Sequence, residues 1–146
     1  MVPFGLLLVS LLVFRGLGAI GVEPLSDWRT AAACALAVMF LFTASAHFMS
    51  TRRDLVAMVP AAFPRPELLV SVTGVLEILG AIGLLIPATR GLAGIGLVVL
   101  LVAMFPANVA AARKRVPLRG KPPTPLPLRL SLQLVFIGVT WWATQT

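Results

Sequence analysis

The chain has 146 residues, of which 59% are hydrophobic and only 12% charged, with a mean hydropathy of +1.00. A water-soluble domain of this length leaves too much surface exposed to hide that fraction, and a disordered chain is poor in apolar residues, so the composition specifies an integral membrane protein. One cysteine excludes an internal disulfide or a Cys-x-x-Cys redox pair, and one histidine excludes a multi-histidine metal or haem site.

The formal net charge is +7 and the pI near 11.6, which makes nucleic acid a partner to weigh. Nine of the twelve lysines and arginines, however, fall in two short loops between apolar runs: Arg52, Arg53, Arg65, Arg113, Lys114, Arg115, Arg119, Lys121 and Arg129. That pattern is a topology signal, and it excludes nucleic acid as the partner.

Five apolar runs follow one another, each near the roughly 20 residues that cross a hydrocarbon core. Residues 2–21 form the first and carry Arg15. A signal peptide is the alternative there, but a basic leading region is missing and Arg15 interrupts the apolar stretch. The second run covers about residues 28–49, the third 67–87 with Glu77 inside it, the fourth 90–112 and the fifth 126–144. These are too long for barrel strands and do not alternate, so the expected fold is all-α, a bundle of membrane-spanning helices.

Nine cations on one side face only Arg29 and Arg90 on the other. The positive-inside rule then places the N-terminus in the cytoplasm and the C-terminus outside, with Trp28, Trp141 and Trp142 together at the outer interface. The stretch from Ser50 to Pro66 carries Leu55, Val56, Met58, Val59 and Phe63 and reads as a segment lying in the interface. The linker from Arg113 to Arg129 holds Pro117, Pro122, Pro123, Pro125 and Pro127. It reads as a stiff connector resting on anionic lipid, with a P-x-x-P docking ligand (Pro122 to Pro125) as the alternative.

The third run is the most informative. At helical spacing Thr73, Gly74, Glu77, Gly80 and Ala81 share one face, while Leu69, Val72, Val75, Leu76, Leu79, Ile82 and Ile86 share the other. The helix should turn its bulky face to lipid and its small, polar face to protein. Gly91, Gly94, Ala103, Ala107 and Ala111 suggest close approach for the fourth run as well. Glu77 lies about 15 Å in from the cytoplasmic end, where a charge costs about 2.5–3.5 kcal/mol. It can avoid that cost by being protonated or by forming a structural ion pair with Arg15. Functionally it is a candidate catalytic proton acceptor, or a hydrogen-bond partner for a lipophilic ligand.

His47, with Thr43 one turn earlier, is the second catalytic candidate and is suited to proton transfer; capping of the helix end is its structural alternative. Pro106 predicts a kink in the fourth run, whose opened backbone Asn108 could satisfy. By depth, His47, Glu77, Asn108 and Gln133 occupy the same half of the bilayer and would form one polar pocket if their helices face one another. Cys34, in an alanine-rich run, reads as a small buried residue.

The stretches Ala46-His47-Phe48, Met58-Val59-Pro60, Phe63 to Leu68, Thr73 to Pro87, Phe105-Pro106-Ala107-Asn108, Pro125 to Leu130, Gln133 and Trp141-Trp142 resemble, in order, the DoxX family of small bacterial membrane proteins. The resemblance covers about residues 28–145 and implies a four-helix membrane core over residues 28–146, with residues 1–21 as an added N-terminal transmembrane helix. It further implies a link to quinone chemistry, thiosulfate oxidation or thiol-oxidative stress, and His47, Glu77, Asn108 and Gln133 match the family's polar positions.

The expected function is accordingly a component of a redox system in the bacterial cytoplasmic membrane that binds a quinone or similar lipophile. Glu77, Asn108, Gln133, Thr73 and His47 would bind it. The expected partners are the bilayer and soluble or membrane oxidoreductase subunits, and homo-oligomerisation stays open. The chain brings no redox group of its own, so quinone is the one cofactor considered. Two alternatives remain: a non-catalytic scaffold anchoring soluble oxidoreductases through the basic loops, and, below it, a small transporter.

Overall fold

Alanine decides which helix takes the centre. In the computed structural model, which describes residues 2–117, 120–122 and 124–145, helix α2 (Trp28–Ser45) buries Ala31, Ala32, Ala33, Ala35, Ala37 and Ala44 together with Leu36, Met39 and Phe40. Small side chains let neighbouring backbones come close, and α2 packs on three other helices. These are α1 (Val2–Ala19), α4 (Pro66–Leu85) and α7 (Leu126–Thr144). Helix α5 (Arg90–Ala103) bridges α4 and α7, so α2, α4, α5 and α7 close a ring of four. Helix α1 lies outside that ring against α2, through Leu7, Leu11 and Phe14. The cation Arg119 and the linker residue Pro123 lie outside the described residues.

Five helical stretches are long and apolar enough to cross a membrane. The fourth, Arg90–Lys114, is α5 continued by α6 (Phe105–Lys114). The expected kink takes the form of a break at Met104 between them, because Pro106 has no N–H for the preceding turn. The backbone group that finds a side-chain donor here is the Leu101 carbonyl. Its donor is Gln133 Nε2, at 2.7 Å, whereas the sequence pointed to Asn108.

The two faces of α4 fall as its periodicity predicts. Val70, Gly74, Glu77, Ala81 and Leu84 are buried, while Leu69, Val72, Val75, Leu76, Leu79, Ile82 and Ile86 are exposed. Close approach in the fourth run is found at Gly94, which faces Thr144, and at the buried Ala111. Ala103 and Ala107 line a cavity instead. Cys34 is half-buried rather than buried like its alanine neighbours.

Part of the interfacial stretch is a short helix, α3 (Arg52–Met58), which buries Met58 and packs on α4 and α6. Arg52 ties it down, donating to the carbonyls of His47 (2.8 Å) and Glu67 (3.0 Å) and to Ser71 Oγ (2.9 Å). The tryptophans gather at the opposite end of the bundle. Trp28 opens α2, Trp141 and Trp142 close α7, and Arg29 donates to the carbonyl of Gln145 between them.

The expected ion pair of Arg15 with Glu77 does not form. Arg15 Nη1 donates to the carbonyls of Leu25 (2.9 Å) and Ser26 (2.5 Å), and its guanidinium lies 4.4 Å from the centre of the Trp28 ring. Arg15 is therefore level with the start of α2, while Glu77 meets Thr43 near its end. Fifteen residues of helix between Trp28 and Thr43 hold the two apart by about 22 Å.

Candidate functional site

The chain leaves α2 at Ser45 and turns back over α4, which delivers His47 onto the small face that the third run promised. The approach is close because position 74 is glycine: a Cβ there would lie 2.6 Å from His47 Cβ. His47 Nδ1 is 2.7 Å from the carbonyl oxygen of Val70. A carbonyl only accepts, so Nδ1 carries the hydrogen and Nε2 is left to face Glu77. Nε2 lies 3.6 Å from Glu77 Oε1, with both side chains buried. With Nδ1 protonated, a favourable contact needs one proton on this edge, on either the ring or the carboxyl; otherwise two lone pairs or two hydrogens oppose each other. The other carboxyl oxygen, Oε2, is 2.8 Å from Thr43 Oγ1. His47, Glu77 and Thr43 thus form a group that can hold a proton in either of two places.

Glu77 and Thr43 line a cavity of about 260 Å³ inside the bundle. A second polar group lines the same cavity. Asn108 Nδ2 donates to Gln133 Oε1 at 3.4 Å, and Arg129 Nη1 donates to Asn108 Oδ1 at 3.3 Å. Arg129 Nε also holds the carbonyl of Thr124, at 3.1 Å. Between these two poles the walls are apolar, with Phe40, Leu132 and Phe136 among them, and α1 contributes Pro3 and Phe4.

Three of the expected binding residues, Glu77, Asn108 and Gln133, therefore share one cavity. His47 stands behind Glu77 instead of facing the space. Thr73 is on the far side of His47, with Oγ1 3.2 Å from Nδ1, and lines a different cavity. Arg129 is the residue that sequence reasoning missed as part of the site, having been counted among the loop cations. Its spacing was the available signal: it lies one turn before Gln133 on the same face of α7. Among the described residues, no three His, Cys, Asp or Glu side chains come together as metal ligands would.

The family model for a domain of unknown function, DUF8561, matches residues 36–144. The chain belongs to the DUF8561 family. The DUF8561 stretch contains every polar side chain that lines the cavity and begins inside α2, so the two cavity residues of α1, Pro3 and Phe4, lie outside it. No curated protein and no solved structure matches the chain.

Proposed function

We propose that the chain is a multi-pass protein of the bacterial cytoplasmic membrane that binds the head group of a quinone or a similar lipophile. It would do so on behalf of a membrane redox or thiol-oxidative-stress system. The observation that carries this reading is the pairing of two different polar groups on one aromatic-walled cavity: Glu77 with Thr43, and Asn108 with Gln133 and Arg129.

A quinone presents two oxygens across a flat ring, and it supplies the two-electron chemistry when bound. Arg129, Asn108 and Gln133 are the donors suited to one oxygen. Glu77 is suited to the other, because it can give or take a proton there while His47 holds the alternative position for that proton. Phe40 and Phe136 bring aromatic rings to the wall, and Pro3 and Phe4 of α1 complete the lining. The four-helix ring, with α1 added outside it, suits the DoxX-like core that the sequence resembles, and that resemblance supports the redox setting. The loop cations support a cytoplasmic N-terminus.

Extraction in a mild detergent followed by mass spectrometry of the co-purifying molecules tests the reading. Wild-type protein should carry close to one quinone per chain and Glu77→Gln much less. Protein that neither carries quinone nor takes it up when added would overturn it. The exposed Arg113, Lys114 and Arg115 favour a second reading, a scaffold for soluble oxidoreductases. Replacing all three by serine should then abolish partner recovery, and unchanged recovery would remove this reading.

A further inference from the structure

His47 has a cavity on each side, and only one of them belongs to the site above. The other, of about 360 Å³, lies where α3 and the segment after it meet α4 and the break between α5 and α6. Leu55, Met58 and Phe63 form one wall and Leu69, Ala103 and Met104 others. Among the described residues, no charged side chain lines it. The two polar contributors with any reach are Thr73 and Asn108.

Their hydrogen bonding limits what each can offer. Thr73 has one O–H proton, and the carbonyls of Leu69 and Val70 lie at 2.9 and 3.1 Å to take it. Asn108 Nδ2 carries two hydrogens and gives one to Gln133; the second is available as a donor. An anion would enter without a countercharge and a cation without a carboxylate, both at heavy desolvation cost. The volume is within the range of small-molecule sites, and space lined in this way favours an apolar guest over water.

We infer that this cavity is a second ligand site, for an uncharged lipophile bearing a hydrogen-bond acceptor such as a ketone or ester oxygen, which Asn108 would hold. Asn108 and Met104 line both cavities, and the remaining Asn108 hydrogen can serve one guest at a time; the rest of the lining differs, with Met39 and Glu77 only in the first cavity and Met58 and Leu55 only in the second.

Benzophenone is a direct probe, being an uncharged aromatic ketone. On irradiation its carbonyl oxygen takes a hydrogen from a neighbouring C–H, often that of methionine, and the two carbons join. The full chain in detergent would be irradiated with increasing benzophenone and the labelled residues mapped by mass spectrometry. Labelling of Met58 should saturate and be displaced by dicyclohexyl ketone. Ala103→Trp and Leu55→Trp fill the space from opposite walls, and each should remove the Met58 label. In both variants the Tm in detergent should stay close to that of wild type, which reports that the protein is folded whether or not quinone binds. Glu77→Gln should leave the Met58 label unchanged, so failure of the quinone reading and failure of this one are distinguishable. Label that concentrates on Met39, or that spreads without saturation over lipid-facing side chains such as Leu76 and Leu92, would overturn the assignment.

Discussion

Arginines bind backbone carbonyls at both ends of the bundle, Arg52 and Arg129 at the basic end included, but the two ends differ in what their other polar side chains do. At the tryptophan end, Arg15, Arg29 and Arg90 direct their guanidinium groups at backbone carbonyls: Leu25 and Ser26, Gln145, and Leu84. Arg90 also reaches Thr30 Oγ1, at 3.3 Å. These bonds close off helix ends, where carbonyls have no partner within the helix. At the basic end, Glu77, Asn108, Gln133 and Arg129 face a cavity. A charged residue near a membrane helix is thus informative only once its partner is known: carbonyl-bound arginines hold the bundle together, while a carboxylate opposite an imidazole, beside open space, has capacity to spare.

Substitutions at the two ends should separate binding from stability. The largest expected effect is on Glu77→Gln, which keeps the shape and a contact to Thr43 but cannot give or take the proton. Quinone affinity should fall about ten- to a hundredfold, the equivalent of losing a hydrogen bond to a charged group, with little change in Tm. An unchanged Kd would erase the contrast between the ends. Gly74→Val comes next. Its side chain would enter the space of His47 Cβ and of the Phe48 ring, and overpacking of this kind costs about 1–3 kcal/mol. Thermal unfolding in detergent should show it, with binding reduced in parallel because His47 is displaced.

Arg90→Gln probes the other end. Losing the bonds to Leu84 and Thr30 should cost about 1–2 kcal/mol in unfolding while leaving the quinone Kd as it was. A change in Kd there would mean that the two ends are coupled. The smallest effect belongs to Asp27, whose carboxylate accepts from the Thr30 N–H at 2.8 Å and caps α2. That hydrogen bond holds its carboxyl below the ordinary value of 3.8. A depressed carboxyl contributes stability above the unfolded value and loses it as pH falls through the folded one. Asp27→Ala should therefore cost about 1 kcal/mol near neutral pH, and the difference from wild type should shrink below about pH 4. A difference that stays constant down to pH 2 would show that the carboxylate is not the source.

The fold was largely legible because length, apolar composition and periodicity can be read within each long helix separately. The exposed row Leu69, Val72, Val75, Leu76, Leu79, Ile82 and Ile86 needed only the period of one helix. The partner of Glu77 was not legible, because it depends on how helices are placed side by side. The sequence offered Arg15 as the partner, but Arg15 stands level with Trp28, and His47, read from the sequence only as a separate candidate in the same half, is the side chain opposite Glu77. Gln133 shows the same limit. Its position on an inward stripe could be read from spacing, but its bond to Leu101 required knowing that α5 breaks where α7 passes.

That bond has a mechanical side. A helix in hydrocarbon cannot leave a carbonyl bare, and α5 lends its open rung to a side chain on α7. Sliding α7 along α5 by one turn, about 5.4 Å, would take the Gln133 amide out of reach of Leu101. One glutamine therefore works as a detent, fixing the height at which two helices stand against each other, and with it the height of Arg129 one turn away.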